Sequence, residues 1–452
     1  MTNNRATFGS KIGVLLATVG CAVGLGSIWR FPYMVGSNGG GAFLLVFIIC
    51  TLLFGVPIML AEFFIGRRSR SNAAGAFKQL APNTHWTIIG YNGVLAAFFI
   101  FGFYSVVSGW TLEYIWQALS GSLDGKTAAD FTQSFKDFST SIFRPIFWTV
   151  AFIGLTHAVI SFGVEKGIER ASKVMMPALF LILIILCIRA LTLDGAKEGL
   201  VYLFYPDFDK ITSSVILSAL GQTFFGLSLG MGGLITYASY FSDDTNLQST
   251  AIQVTIINTL VALLAGIMIF PAVFSFGIEP TAGAELVFIT LPNVFNQLPF
   301  GNLWSLIFFV LLALAALTST ISLHEVVTAY VHEEYHLSRT KAAYVTSIIA
   351  ALFGVLSSLS LGVLSDYTIF GLNFFDILDY LTAKIMMPLG GMLICIFVSK
   401  RIDKKILKDE LTNHNSIPFY FFNTYAFIIK YFCPIAIAAI FLNELGLLKW
   451  LI

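Results

Sequence analysis

The sequence predicts an all-α polytopic membrane protein, and its composition, its apolar runs and two glycine-rich breaks lead to that fold class. Hydrophobic residues make up 57% of the chain and charged residues only 11%, with a mean hydropathy of +0.83. This composition excludes an ordinary soluble domain. Apolar runs of about 20 residues, the length that crosses a bilayer, predict eleven transmembrane helices. The runs cover residues 12–34, 42–66, 88–118, 145–163, 172–193, 212–240, 249–276, 303–333, 342–365, 376–399 and 418–446.

Lysine and arginine are unevenly distributed between successive connections. If the N-terminus is cytoplasmic, the inside connections hold more than twice as many of these residues as the outside ones. The positive-inside rule therefore predicts a cytoplasmic N-terminus and an outside C-terminus. The net charge of +1 gives no argument for a nucleic-acid partner, and the basic stretch 400–408 is interpreted as an inside loop. Without metal-ligand spacing, we expect only packing roles for the cysteines of the apolar runs: Cys21, Cys50, Cys187, Cys395 and Cys433.

The first apolar run interrupts its own helix. Gly20, Gly24 and Gly26 crowd its middle. Arg30 follows in the same run, where a guanidinium without a partner costs at least about 3 kcal/mol. Irregular backbone at this depth survives only where it is buried in protein or lines a wet cavity, so the break indicates a binding site.

The sixth run carries a matching interruption, GQTFFGLSLGMGG, at residues 221–233. Two broken helices five spans apart are typical of transporters built from two inverted repeats, with the substrate between the breaks. The repeats would cover residues 1–195 and 210–400, followed by a cytoplasmic loop and an eleventh helix over 401–452. Freed N–H groups suit a carboxylate and freed carbonyls suit a small cation, so sodium with an anionic or zwitterionic solute fits both.

Six motifs follow one another along nearly the whole chain: GCAVGLGSIWRFPYMVGSNGGGAF (20–43), AEFFIGR (61–67), GQTFFGLSLGMGGLITYASY (221–240), IFPAVFSFG (269–277), LVFITLPNVF (286–295) and LLALAALTSTISLHEVVTAY (311–330). They resemble the neurotransmitter:sodium symporter family in its bacterial amino-acid-transporting branch. The resemblance implies a LeuT-like fold in the bacterial inner (plasma) membrane. It also implies sodium-coupled import of an amino acid by alternating access, and no enzymatic activity.

Two sodium sites are implied by the resemblance. The second site takes carbonyl oxygens beside the first break and hydroxyls of the eighth helix, and its residues would be Gly20, Val23, Ala315, Thr318 and Ser319. The first site would use Ala22, Ser27, Gly226 and Asn258. In that first site, Ser27 stands where the family has asparagine and Gly226 where it has a hydroxyl residue.

With two ligands shortened or missing, we expect one coupled Na⁺. Chloride is not expected. Phe47 replaces the tyrosine that animal members use for chloride, and residues 249–276 lack the acid that bacterial members commonly carry there.

The implied substrate site lies between the breaks. The amides of Leu25 and Gly26 with the hydroxyl of Tyr104 would hold a carboxylate, and Phe225 would cover the pocket. Gly24 stands where monoamine carriers of the family have an acid, so the solute should bring its own carboxylate. The remaining lining carried over is Ile100, Ser228, Met231, Thr320, Ser322 and Leu323. This mostly apolar set favours a neutral, hydrophobic amino acid.

Two ion pairs are implied as gates. Arg30 would pair with Asp379 on the outer side of the substrate, and Arg5 with Glu333 on the cytoplasmic side. Gly167 and Pro177 resemble the family's unwinding motif at the start of the fifth helix.

Glu62 lies within the second span, where an unpaired carboxylate is costly. We assign it a structural role beside the first break.

Two other functions compete with symport. The stretch HEEYH at 332–336 matches the helical zinc signature H-E-x-x-H, which would make the chain an intramembrane metalloprotease. Such a site needs a third ligand on the same side of the membrane, and the candidates Asp124 and Asp194 fall in outside loops. The other alternative is an amino-acid sensor that binds its ligand without transporting it. The altered first sodium site suggests this alternative.

Overall fold

The computed structural model describes residues 5–277 and 286–444, and this part of the chain is helical. Its β pairing is limited to one isolated bridge between Ile369 and Leu372. The all-α fold class is therefore confirmed. Thirteen helices occupy the predicted runs: α1 (Lys11–Ala22), α2 (Gly26–Ser37), α3 (Gly41–Ser69), α4 (Thr87–Leu119), α5 (Phe143–Ser161), α6 (Val164–Leu191), α7 (Ser213–Gly226), α8 (Gly233–Ala238), α9 (Leu247–Ser275), α10 (Gly301–Glu334), α11 (Arg339–Leu359), α12 (Phe374–Arg401) and α13 (Phe422–Asn443).

Nine of the described helices are long and apolar enough to cross a membrane, and α1 with α2 forms a further span bent by 56°. Helices α7 and α8, of 14 and 6 residues, fill the sixth run. At 1.5 Å per residue neither crosses about 30 Å of hydrocarbon alone. The count of eleven spans stays a prediction. Residues 1–4 of the first predicted repeat and residues 445–452, which include the end of the eleventh run, lie outside the described residues.

Short helices connect the spans. They are Ala73–Leu80, Ala128–Thr140, Ala196–Phe204, Leu291–Asn296 and Lys404–Leu411. The last is amphipathic, because it buries Leu407 and Leu411 while its lysines stay in solvent.

Wide π-helical turns recur inside the spans, and most of them precede a proline. A proline nitrogen has no hydrogen to donate and its ring pushes away the carbonyl four residues earlier, so the preceding turn widens. The π turns with a proline as the second residue after them are Gly26–Arg30, Thr51–Gly55, Leu286–Thr290, Tyr380–Met386 and Ile428–Phe432.

The broken helices lie inside a frame of intact ones. Helix α10 packs most extensively on α4, and α4 packs in turn on α5 and α11. These four helices, α4, α5, α10 and α11, are here called the frame. The broken helix α1 contacts α10 of the frame and also α6 and α9, while α8 packs on α3. Every residue of α8 is buried. In the described part of the chain, packed helices therefore surround both breaks.

Candidate functional site

The first break lies between α1 and α2. Val23, which follows α1, has extended backbone (φ −78°, ψ 115°), and α2 begins at Gly26. A Cβ added to Gly24 would lie 2.1 Å from the Ser319 Oγ, and one on Gly26 would lie 2.8 Å from the Phe225 ring. Glycine is required here because the backbone runs directly against these side chains.

The second break, between α7 and α8, has three residues in the left-handed region: Ser228 (φ 56°), Gly230 (φ 82°) and Gly232 (φ 75°). A Cβ on Gly230 would come within 2.3 Å of the Met387 carbonyl oxygen. The Ser228 hydroxyl donates to the carbonyl of Cys21 at 3.0 Å, so the two breaks are bonded directly to each other.

Glu62 serves the second break rather than the first, which corrects the expectation for this residue. Its Oε1 accepts the backbone N–H of Gly230 at 2.8 Å. The side chain is fully buried, and its Oε2 has no hydrogen-bond partner among the described residues. A helix break leaves buried N–H groups that need an acceptor, and the carboxylate provides one.

The structure brings the residues of the second sodium site together. The Thr318 Oγ1 lies 3.1 Å from the Val23 carbonyl oxygen and 2.9 Å from that of Ala315. Gly20 packs against Thr318, since a Cβ there would lie 3.4 Å from the Thr318 Cβ. Ser319 faces Gly24 on the same side of α10. Three of these oxygens, those of Val23, Ala315 and Thr318, are thus close together at the junction of the break and an intact helix, and oxygen ligands suit a hard cation.

The first sodium site has a different internal arrangement. The Ser27 hydroxyl donates to the Asn258 Oδ1 at 2.7 Å, so these two side chains bond to each other. A Cβ on Gly226 would lie 3.7 Å from the Asn258 Nδ2, at ordinary van der Waals distance, so this glycine is next to the pair. Ala22 lies in the adjacent cavity wall.

Two polar residues beside this first site were missed from the sequence. Gln222 donates from its Nε2 to the Gly26 carbonyl at 3.0 Å, and its buried Oε1 has no partner in the described part of the chain. The hydroxyl of Thr255, one turn before Asn258, is likewise buried without a partner there. A glutamine next to a glycine cluster within an apolar run was the available signal for Gln222.

A central cavity of about 40 Å³ lies where the two breaks meet. Seven residues carried over as substrate contacts line it: Gly26, Ile100, Tyr104, Phe225, Ser228, Met231 and Leu323. Met387 of α12 also lines the cavity and was not expected. The N–H of Leu25 donates to the Tyr104 hydroxyl at 3.1 Å, so the predicted carboxylate-binding groups are already neighbours.

Thr320 and Ser322, which the resemblance places in the lining, do not line this cavity. The Thr320 hydroxyl lies 2.8 Å from that of Thr156 in α5, and the Ser322 hydroxyl donates to the Ser319 carbonyl at 2.8 Å. Helical geometry explains the correction, because residues 319 and 323 share one face of α10 and the residues between them point elsewhere.

A second cavity of about 350 Å³, here called the Arg30 cavity, adjoins the central one. Phe225 and Tyr104 line both cavities, so their rings form the partition. The Arg30 guanidinium lies over the Phe225 ring, 4.2 Å from its centroid. Asp379 lines the same cavity as Arg30. Lys384, a further cation of this lining, was not predicted to belong to it.

The other predicted gate is formed as an ion pair between Arg5 and Glu333. The Arg5 Nε also donates to the Ser239 hydroxyl at 2.9 Å. Glu333 accepts the backbone N–H of Asn72 at 2.8 Å, which connects the pair to the end of α3. Phe8 packs nearby against the ring of Tyr240, 6.0 Å between centroids. These contacts join the segment before α1, the end of α8 and the end of α10.

The segment with the unwinding motif is wound. Residues Val164–Glu169 form a π turn that continues into α6. A Cβ on Gly167 would lie 2.2 Å from the Val159 carbonyl oxygen, and Pro177 lies inside the helix. Glu169 accepts the Gly9 N–H at 2.6 Å and the Ser10 hydroxyl at 2.8 Å, which ties the turn to the segment before α1.

The zinc-signature alternative finds no support. Helix α10 ends at Glu334, and His336 has left-handed backbone (φ 55°), so the two histidines of HEEYH do not share one helical face. Glu333 is engaged by Arg5. Within residues 5–277 and 286–444, no three His, Cys, Asp or Glu side chains are grouped as metal ligands.

At the position expected for a chloride tyrosine, Phe47 packs against Phe31 with 5.0 Å between ring centroids. The hydroxyls of Thr51 in α3 and Thr223 in α7 lie 3.2 Å apart and form a hydrogen bond with each other.

Comparison with known proteins agrees with this architecture. The profile of the Sodium:neurotransmitter symporter family matches residues 5–139 and 137–449. The sodium-dependent transporter YhdH of Bacillus subtilis is 43% identical over 98% of this chain and 98% of its own length. A sodium-dependent transporter of Haemophilus influenzae is 40% identical over 98% of this chain and 99% of its own.

A solved structure shares the fold as well. The crystal structure of MhsT in complex with L-phenylalanine has a TM-score of 0.90 and 43% sequence identity, and the match covers 98% of this chain and 100% of that one. The chain therefore belongs to the sodium:neurotransmitter symporter family, a family of sodium-dependent membrane transporters and not of enzymes.

Proposed function

We propose that the protein imports a neutral, hydrophobic amino acid together with sodium by alternating access. The central cavity is the observation that carries this proposal. Its lining combines hydroxyl groups of Tyr104, Ser228 and Ser319 with the apolar side chains of Ile100, Met231 and Leu323, and Gly24 contributes no charge. A ligand that fits must supply its own carboxylate and present an apolar side chain.

The carboxylate would bind at the beginning of α2. The Leu25 and Gly26 amides stand at a helix N-terminus, where the dipole favours a negative charge. Tyr104, already 3.1 Å from the Leu25 nitrogen, is within reach of the same anion. MhsT was crystallised in complex with L-phenylalanine, and this supports a neutral, apolar amino acid for a chain 43% identical to it.

One sodium ion would accompany the amino acid at the second site, among the oxygens of Val23, Ala315 and Thr318, with Gly20 and Ser319 completing the set. The first site has lost ligand oxygens at Ser27 and Gly226. Its remaining amide oxygen accepts from Ser27. We infer that the first site contributes little to coupling and that chloride has no role.

Access would alternate between the Arg30 cavity on the outside and the end closed by Arg5 and Glu333 in the cytoplasm. A rotation of the Phe225 ring would join the central cavity to the Arg30 cavity. The two inverted repeats, with the N-terminus inside a bacterial plasma membrane, would supply the rocking motion.

Uptake into liposomes containing the purified protein tests this function. We expect an inward sodium gradient to drive accumulation of one or more labelled hydrophobic amino acids, and replacement of sodium by choline to abolish it. Empty liposomes are the control. Saturable binding without accumulation would favour the sensor, and uptake that ignores sodium would contradict the proposal.

A further inference from the structure

We propose that a basic cleft beside the helix Lys404–Leu411 binds the headgroup of an anionic phospholipid. This cleft has a volume of about 450 Å³, and its lining is Arg68, Lys405, Ile406, Lys408, Asp409 and Asn415. Three cationic side chains and one carboxylate thus face one space. The cations come from two separate parts of the chain, the end of α3 and the helix after α12.

The positive charge of the cleft is poorly compensated. The neighbouring Glu410 pairs with two cations, the Arg67 Nε at 2.6 Å and the Arg68 Nη1 at 3.3 Å, so one carboxylate is shared between two arginines. The Asp409 carboxylate is 2.7 Å from the His414 Nδ1. In the described part of the chain, neither Lys405 nor Lys408 has a carboxylate within ion-pair distance.

The position of the cleft points to lipid rather than to a soluble anion. Arg68 lies in the last turn of a membrane-crossing helix, and the cleft helix joins two further spans, α12 and α13. Ile406 of the cleft lining is 44% exposed. The Lys408 Nζ lies 5.9 Å from the centroid of the Phe422 ring, and Tyr420 and Phe421, which precede that residue in the chain, are 88% and 74% exposed. Exposed aromatic side chains next to basic ones are typical of the level of lipid headgroups. A phosphodiester would reach the three cations while its acyl chains run along the apolar surface.

In the proposed orientation this face is cytoplasmic, where polybasic segments meet the anionic leaflet. The inference does not depend on the transported substrate, and a failure of either one leaves the other standing.

Thermal unfolding of the purified protein in a neutral detergent measures the binding. Phosphatidylglycerol is titrated and the rise in unfolding temperature is followed, with phosphatidylcholine as the neutral lipid. We expect phosphatidylglycerol alone to stabilise the wild type. The triple variant Arg68→Gln, Lys405→Gln, Lys408→Gln should need on the order of 100-fold more lipid for half of the effect, because each basic residue near an anionic headgroup contributes about fivefold.

The matched control is Lys11→Gln, Lys166→Gln, Lys341→Gln, which removes the same charge from exposed positions on other inside segments. It should respond like the wild type. If the triple variant does not fold, the exposed pair Lys405→Gln and Lys408→Gln takes its place, and Lys405→Arg with Lys408→Arg should retain the response.

Three results would overturn the inference. They are an unchanged response of the cleft variant, an equal loss in the control variant, and equal stabilisation of the wild type by inorganic phosphate at the same concentration, which would make the cleft a site for free anions.

Discussion

The Thr318 hydroxyl stands 3.1 Å from the carbonyl oxygen of Val23, so an intact helix of the frame reaches into the break of the first span. A cation bound at this point would contact both the frame, through α10, and the broken helix, through α1. Sodium binding at the proposed second site would therefore affect the relative position of these two helices.

Removing the hydroxyls of this site should weaken sodium dependence. For Thr318→Ala with Ser319→Ala we expect the half-saturating sodium concentration of uptake to rise at least about tenfold, since a hydrogen-bonding group next to a charge contributes roughly 1.5–3 kcal/mol. Thr346→Ala with Ser358→Ala is the matched control, because those buried hydroxyls have no partners among the described residues. Wild-type sodium dependence in the first variant would show that the site is misassigned.

Removal of the Asp379 carboxylate from the Arg30 cavity should impair transport. Asp379→Ala takes an opposite charge away from Arg30 in a region of low dielectric, a change that costs several kcal/mol. We expect the initial rate of uptake to fall at least about tenfold. Asp124→Ala, in an exposed loop, should leave the rate unchanged. Equal rates in the two variants would remove the support for a gate here.

Sodium stoichiometry should follow the two altered ligands. Uptake by the wild type should rise with sodium at a Hill coefficient near one and ignore replacement of chloride by gluconate. Ser27→Asn with Gly226→Thr restores the residue types of the family at both positions, and a Cβ at position 226 would stand 3.7 Å from the side-chain nitrogens of Asn258 and Gln222, at ordinary contact distance. We expect its Hill coefficient to move toward two. Ser27→Asn with Gly226→Ala adds one oxygen fewer and should stay nearer one. A wild-type coefficient near two with chloride dependence would contradict the prediction.

The carboxylate of the substrate should be indispensable. Gly24 offers no acid to hold an amine, so the decarboxylated analogue of the best amino-acid substrate should neither be taken up nor compete with it at tenfold excess. The amide of the same amino acid keeps the size of the carboxyl group but not its charge, so it should also fail to compete. Efficient uptake of the amine would refute the argument from Gly24.

Substitutions at two nearby positions of α10, Leu323 and Thr320, should affect substrate selectivity differently. Leu323→Ala enlarges the central cavity, so we expect the ratio of kcat/KM values between large and small hydrophobic amino acids to shift by at least about tenfold, since one methylene in a hydrophobic pocket is worth roughly 10- to 200-fold. Thr320→Ala removes a hydroxyl bonded to Thr156 outside the cavity and should leave that ratio unchanged. A shift with Thr320→Ala alone would mean that the lining is wrongly drawn.

The breaks could be predicted from the sequence because a glycine cluster in an apolar run is a local signal. The same register that places Ser319 and Leu323 on one face of α10 was also available, and it would have excluded Thr320 and Ser322 from the cavity. The partner of Glu62 was not available, since Gly230 lies 168 residues away and no local pattern encodes that contact. Met387 was hidden for a similar reason, because its neighbours are set by the packing of α12 and not by its own segment.

The hydrogen bonds that close the two breaks join the halves of the chain. Ser228 and Cys21 are 207 residues apart, and Gln222 and Gly26 are 196 apart. During synthesis, the first broken helix therefore enters the membrane long before its partners exist, with polar backbone groups that lipid cannot satisfy. Maturation of the site must wait for the sixth span. A nascent chain stalled before that point would expose an incomplete helix to the proteases and chaperones that survey the bilayer.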